Sequence, residues 1–474
     1  MKRIGTFLYC AAGLLAAGMM ALALSTFSPL RSGGLTVGAA LGLALLGGAG
    51  FCRRALRGDP SERTPALAGL ILAGLCLMLA CGAFWERRHE SFKKDCAARG
   101  WPTSLADFRE ARPEQDFAQA PLEQAYARLG LEAVKKELEP WGGAVLAPGA
   151  SRPAGAWARA CARIEAGDVD SALMRRSRLA PMDYAAAAAD PLGAPLPALS
   201  AHVAFSRWLR ACAGRAPDDG RAWAQVGRLR QLARLAATHR TMIGQVVACE
   251  LDAAAAKAAL EVLARRPLRA ALPEPAAGAL RERLALSRMT EGLRSELAMS
   301  FDMTSWFKGP GSSGSWRTAE RVLSWVGFFD INGLAFSRML SGFAEVKTRA
   351  EAEAAAARAR EALEGLPDWP YLLARIAMPD FGRLFLREFE ARTWCRMALA
   401  ASALGRFRAA RGRYPKDLAE LSPSFLAPGE AADETAGQGL VYRASPRGFE
   451  LCGRGPKADG KDSRGQDFCV RVRL

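Results

Sequence analysis

Histidine is almost absent from this 474-residue chain: His89, His202 and His239 are the full set, far apart in sequence. That scarcity excludes an HExxH zinc helix and leaves little material for a histidine-based triad. Eleven cysteines occur without a single Cys-x-x-Cys pair, which removes zinc-ribbon and thioredoxin-type readings. The aromatic–basic modules of nucleic-acid binders are also missing, so the net charge of +17 is not read as a nucleic-acid footprint. Arginine outnumbers lysine and is scattered along helical segments. Such a distribution suits attraction to anionic lipid headgroups better than one basic patch on a polymer. Ser91-x-x-Lys94 and Ser305-x-x-Lys308 match a Ser-Lys nucleophile motif, but no SDN or KTG companion is present. The expectation is therefore a protein that is not an enzyme, with no catalytic residue and no small-molecule substrate. The alternatives are an envelope hydrolase or transpeptidase-like enzyme using a Ser-Lys pair, and a cytoplasmic-facing helical adaptor.

What the chain does have is apolar sequence, unevenly placed. Hydrophobic residues make up 50% and charged residues 24%, which excludes a disordered or fibrous chain. Three apolar stretches stand out: Ile4 to Phe27, Leu35 to Phe51 and Leu67 to Trp85. A helix needs about 20 apolar residues to cross the hydrocarbon core. The first and third stretches reach that length, and the second is short and glycine-rich. Ala21 to Ala23 resembles a signal-peptide cleavage site, yet the long apolar run and the stretches after it favour a retained helix. Lys2, Arg3, Arg53, Arg54, Arg57 and Arg63 flank the inner side of an N-in, three-span arrangement. That arrangement puts the large soluble part in the periplasm of a bacterial inner-membrane, multi-pass protein. Arg87, Arg88, Lys93, Lys94 and Arg99 directly after the third stretch argue the other way, and two spans would leave that part in the cytoplasm.

The expected fold is mainly α. Residues 1–85 form a membrane anchor with two or three transmembrane helices, and 86–150 a juxtamembrane helical region. Residues 151–390 form an α-helical domain of hairpins, and 391–474 a long helix followed by a small β-hairpin segment. Thr103 or Ser104 is placed to cap a short helix carrying Leu105 and Phe108. Trp223, Val226, Leu229, Leu232 and Leu235 make one apolar stripe, and Leu199–Cys212 and Ile243–Leu263 make others. Lys308 to Trp316, rich in Gly and Ser, reads as a flexible loop. Val322–Phe343, Arg349–Leu363 and Leu384–Arg411 read as helices. After Gly412 the pattern turns to strands at Gly439–Tyr442, Gly448–Cys452 and Phe468–Leu474. Cys452 and Cys469 flank the loop between the last two strands and can lie opposite each other, a disulfide candidate in an oxidising compartment.

The ending carries a resemblance. Gly412, Tyr414, Pro415, Leu418 and Leu421 form a Gly-x-Tyr-Pro, Leu-x-x-Leu corner after a long helix. Asp433, Gly437 and Tyr442 follow in a turn and strand, Gly448 and Phe449 open a hairpin, and Gly455, Asp459, Gly460 and Asp462 fall in its loop. This segment of about 75 residues resembles the end of type II secretion major pseudopilins. The whole resembles uncharacterised planctomycete-like multi-span membrane proteins with such an ending. The resemblance implies an α+β pseudopilin-like C-terminal segment, a secretion or pilus-type apparatus as partner beside the lipid bilayer, and calcium in the loop on Asp459, Asp462 and Asp467. Lys457, Lys461 and Arg464 among those carboxylates repel a cation. The pseudopilin N-terminus, with a Glu five residues after the cleaved Gly, is not matched: Cys10 stands five residues after Gly5. Pilus-type polymerisation is therefore not expected. The function expected is that of a membrane-anchored envelope scaffold or partner-binding protein.

Overall fold

The computed structural model describes residues 60–108, 161–162, 184–191, 199–265, 272–308, 320, 323–324, 326–457, 459–465 and 468–473. Over these residues the chain is mainly helical, with a small sheet part at its end. The first two apolar stretches, the Gly/Ser run after Lys308 and Asp467 lie outside the described residues.

Helix α1 (Pro60–Ala98) contains the third apolar stretch and runs unbroken through the expected boundary at 85/86. Among the described residues no helix is long and apolar enough to cross a membrane. In α1 the apolar run stops at Glu86-Arg87-Arg88, and its last turns are already part of the protein core. Met78 and Cys81 pack with Val326, Phe328 and Phe329, while Trp85 packs with Ile331, Leu334 and Tyr371. A short 3-10 turn, Leu105–Phe108, follows. Ser104 does cap it, Oγ accepting from the Ala106 N–H at 3.1 Å.

Beyond the short α2 (Tyr184–Ala189), α3 (Leu199–Ala213), α4 (Asp219–Thr238) and α5 (Met242–Arg265) form antiparallel helical hairpins. Asp218 caps α4, accepting from the Arg221 N–H at 2.8 Å. Val226, Leu229, Leu232 and Leu235 are buried, as their spacing predicts. Next come α6 (Glu274–Ala285), α7 (Arg288–Lys308), α8 (Phe328–Ser341), α9 (Arg349–Glu364) and the short α10 (Leu372–Ala377). The helix expected over Val322–Phe343 is not continuous: Leu323 and Ser324 are helical, but Gly327 takes a left-handed φ of +73° and α8 starts after it at Phe328. A Cβ there would sit 3.0 Å from Cβ of Trp85, so α1 and α8 meet where only glycine fits without adjustment.

Helix α11 (Phe381–Arg411) organises the rest. It crosses the expected boundary at 390/391 without a break. Its second half joins α3–α6 and the C-terminal segment in one core, with Phe205, Leu229, Leu251, Leu404, Leu451 and Phe468. Its first half joins α7, α8 and α9 in another, with Leu293, Phe301, Phe343, Phe385 and Phe389. Gly412, at φ +72°, ends it.

The C-terminal segment opens with a 3-10 corner at Leu418–Leu421, capped by Asp417. A two-residue ribbon pairs β1 (Ala432–Asp433) with β2 (Gln438–Gly439). The antiparallel sheet β3 (Val441–Ser445), β4 (Gly448–Cys452) and β5 (Cys469–Arg473) follows in that order. Ser445 pairs with Gly448, which makes Pro446-Arg447 a two-residue hairpin turn. The first strand expected at Gly439–Tyr442 is split: the ribbon stops at Gly439 and β3 starts at Val441.

Candidate functional site

The C-terminal loop between β4 and β5 is built against α5 and α11. Cys452 and Cys469 are directly opposed in the register and joined by a disulfide, Cα to Cα 4.1 Å. Inside the loop Gly455 has φ +74°, and a Cβ there would stand 1.9 Å from the Lys461 carbonyl oxygen. Trp394 of α11 meets Phe468 at 4.6 Å between ring centres, and the Lys257 ammonium of α5 sits 4.6 Å from the Trp394 ring centre. Glu390 of α11 accepts the Ser463 N–H at 2.5 Å, and Arg464 pairs with Glu250 of α5. Asp433 is fully buried: it accepts from Thr393 Oγ1 at 3.2 Å, the Thr435 N–H at 2.8 Å and the Arg454 N–H at 2.6 Å. The segment is thus held to the helical body by a saturated polar corner and an aromatic contact.

Of the three carboxylates expected around calcium, Asp459 and Asp462 lie among the described residues, and they are differently placed. Asp462 is buried, its Oδ2 is 3.9 Å from Lys257 Nζ, and its Oδ1 accepts the Arg464 N–H at 2.9 Å. Asp459 is exposed and accepts the Lys461 N–H at 3.1 Å. The loop therefore already faces a cation, the Lys257 ammonium of α5. Burial, with Arg210 nearby, holds the Lys257 pKa below the ordinary lysine value. Another group with metal-ligand atoms close together is Glu450, Cys452 and Cys469. Its two sulfurs are joined to each other, and Glu450 pairs with Arg443 at 3.2 Å and Arg471 at 2.6 Å. A thiolate is the form that binds metal, so this group offers no soft ligand while oxidised.

The Ser-Lys patterns come out as follows. Ser305 donates to the Phe301 carbonyl at 3.0 Å, a helix-internal bond. Lys308 contacts Glu86 at 2.6 Å and Asp330 at 3.2 Å. Burial opposes its charge, but the Glu86 and Asp330 carboxylates outweigh it and raise the pKa. A general base must be neutral, and this lysine is held protonated. Ser91 lies on the exposed face of α1. Beside Lys308, His89 Nδ1 is 3.4 Å from Asp330 Oδ1, but both side chains are shut from solvent, so no substrate can approach them in this arrangement.

Two arrangements were not legible in the sequence. Cys161 is joined to Cys212 of α3 across 51 residues, with Cα atoms 5.7 Å apart. At the junction of the two cores, Asp252 of α5 faces Arg230, Arg283 and Arg288, and Glu388 of α11 accepts the backbone N–H groups of Arg288 and Met289 at 2.9 and 3.0 Å. Burial drives the thiols of Cys249 and Cys395 beside them up to about 12 and about 11, so neither is a ready nucleophile. The signal for this cluster was one acid, Asp252, on an otherwise alanine- and leucine-rich helix face. An open groove of about 340 Å³ between α9 and α11 carries the pairs Arg349–Glu353 and Arg383–Asp380, whose charges satisfy each other.

Comparison with protein-family models, curated proteins and solved structures finds no match for this chain.

Proposed function

We propose that this chain is a non-enzymatic, membrane-anchored envelope protein: a helical scaffold that presents a disulfide-closed, pseudopilin-like segment to a protein partner. The observation that carries this reading is the pair of disulfides, Cys161–Cys212 and Cys452–Cys469. Disulfides persist in oxidising compartments and are rare in the cytoplasm. Together with the apolar stretches before residue 86, that supports a periplasmic body on a bacterial inner-membrane, multi-pass anchor. Lys308 held as an ammonium, Ser305 bonded within its own helix and His89 shut from solvent favour a scaffold over a Ser-Lys hydrolase. A type II secretion or pilus-type apparatus is the partner proposed, on the strength of the corner from Gly412 to Leu421 and the hairpin after it.

The test is topology. Paired reporters fused after Leu474, one active only in the periplasm and one only in the cytoplasm, read the side directly. Periplasmic signal, with both disulfides intact in cells, is the expected result. Cytoplasmic signal overturns the reading and leaves an inward-facing helical adaptor, the alternative that the basic residues after Trp85 favour. In-cell crosslinking that repeatedly recovers no secretion component removes the proposed partner and leaves the anchored scaffold standing.

A further inference from the structure

At the end of the body where α1 enters, an apolar segment faces solvent. Residues 366–378 form the connection from α9 to α11. Its inner side is anchored: Asn332 Nδ2 donates to the Pro370 carbonyl at 2.7 Å, and the Ala374 N–H donates to Asn332 Oδ1 at 3.0 Å. Tyr371 is buried in the cluster of Trp85, and Trp369 stacks on Phe328 at 4.9 Å. Phe328 belongs to the cluster that holds Met78 and Cys81 of α1. The segment therefore lies beside the last apolar turns of that helix.

Its outer side is uncovered. Trp369 is 36% exposed, Leu372 44%, Leu373 37% and Ile376 74%. Single exposed apolar residues are ordinary, but four within eight positions of one short turn make a patch. The segment has two charged side chains, Asp368 and Arg375, which pair with each other at 3.3 Å. Arg375 also donates to the Leu366 carbonyl at 2.8 Å, so its charge is spent holding the turn.

We infer that this face seats in the interfacial layer of the lipid bilayer, beside the anchor. The inference rests on the membrane-anchored reading above. Several features select lipid as the occupant rather than a protein. Leu79, one residue beyond buried Met78, is 56% exposed on the same helix. From there back to Leu67 the sequence of α1 contains no charge. In the other direction Arg87 and Arg88 are exposed, about 12 Å further along the helix at 1.5 Å per residue, a depth suited to phosphate headgroups. Arg88 also lies over the Phe84 ring at 5.3 Å, so this level combines aromatic and cationic groups. Tryptophan beside aliphatic residues, at the level where an apolar helix gives way to arginine, is the composition of a membrane interface.

The test uses the full chain in native membranes with a photoreactive benzoyl-phenylalanine at Ile376, and separately at Lys416. Lys416 is exposed just past the far end of α11, about 45 Å away along a 31-residue helix. Irradiation is expected to add a phospholipid mass to the peptide carrying position 376 and none to that carrying 416. A protein adduct at 376, or no adduct, overturns the inference. Carbonate extraction separates the two levels. If the chain stays in the membrane and 376 captures no lipid, the seating fails alone. If the chain is released, the anchored reading fails with it.

Discussion

Arg230 Nη1 donates to Asp252 Oδ1 at 2.6 Å, with the carboxylate completely excluded from solvent. The same carboxylate meets Arg283 at 2.6 Å and Arg288 at 3.0 Å, so one acid on α5 ties together α4, α6 and the start of α7. Burial alone would raise its pKa, but the three guanidinium groups outweigh it and hold the carboxyl below the usual range. Removing one member of such a buried cluster leaves uncompensated charge, which costs about 3–5 kcal/mol. Asp252→Asn is expected to lower stability by that order in chemical denaturation at neutral pH. The sign with pH follows from the depressed folded pKa. The contribution is fully present above the unfolded value near 4 and fades as pH falls through the folded one. The variant's deficit should therefore narrow only in strong acid; an equal deficit at all pH values would show that charge is not the cause.

The two disulfides should contribute separately. The Cys452–Cys469 closure spans 17 residues and the Cys161–Cys212 closure 51. Loop-closure entropy assigns them about 3 and about 4 kcal/mol. Cys452→Ser with Cys469→Ser is expected to lower the melting temperature. Reducing agent should then lower it further, through the remaining bridge. A double variant as stable as the parent would mean that the hairpin register holds the loop without the bridge.

What the sequence made legible divides along physical lines. Val226, Leu229, Leu232 and Leu235 announced α4 because a 3.6-residue period needs no partner to be seen. The start of α8 was set instead by Gly327 meeting Trp85, a contact between residues far apart in the chain. The opposition of Cys452 and Cys469 followed from two alternating strands around one loop. Cys161 and Cys212 had no such frame, since only the packing of the helices brings them together. Arg283 reads as one more surface arginine in sequence, and is fully buried only because Asp252 and Glu388 wait on other helices.

A carboxyl group of opposite behaviour lies at the start of α5. Glu296 of α7 accepts the Met242 N–H at 3.0 Å with no cation to offset desolvation, which pushes its pKa up to about 7. A raised folded pKa means that the stabilising preference for the protonated form is present below the unfolded value near 4. It is lost as pH rises through about 7. Glu296→Gln keeps an oxygen for the Met242 N–H and never ionises. It is expected to be more stable than the parent at pH 8, by about 2 kcal/mol because the side chain keeps partial solvent contact. The two should converge toward pH 4 in thermal melts. No difference at pH 8 would place the carboxylate in water.

Asp433 tests how the C-terminal segment is held. Its carboxylate accepts from Thr393 of α11, from the backbone and hydroxyl of Thr435, and from the Arg454 N–H at the start of the loop, and its side chain is fully buried. Asp433→Ala strands the Arg454 N–H and the Thr393 hydroxyl, at about 1–3 kcal/mol for each buried group left unpaired. The expected readout is faster amide exchange in β1 and across 453–465, with α4 and α5 unchanged. Protection lost uniformly across the chain would mean that the segment and the helical body unfold as one unit.

Calcium separates the loop's chemistry from the family it resembles. A hard divalent cation needs 6–8 oxygens, with carboxylates free to turn toward it. Asp462 is already committed, through Oδ2 to Lys257 and through Oδ1 to the Arg464 N–H, while exposed Asp459 accepts the Lys461 N–H. Bringing calcium to Asp462 would place it against the Lys257 ammonium, and Lys257 is itself fixed over Trp394. Repulsion between unit charges at about 4 Å is about 4 kcal/mol at an effective dielectric of 20, and doubles for a divalent ion. The melting temperature is therefore expected to be the same in millimolar calcium and in chelator. Lys257→Met keeps apolar contact with Trp394 and removes the competing charge. Calcium stabilisation confined to that variant would identify the lysine as what excludes the ion, and stabilisation of the parent chain would restore the calcium site that the resemblance implies.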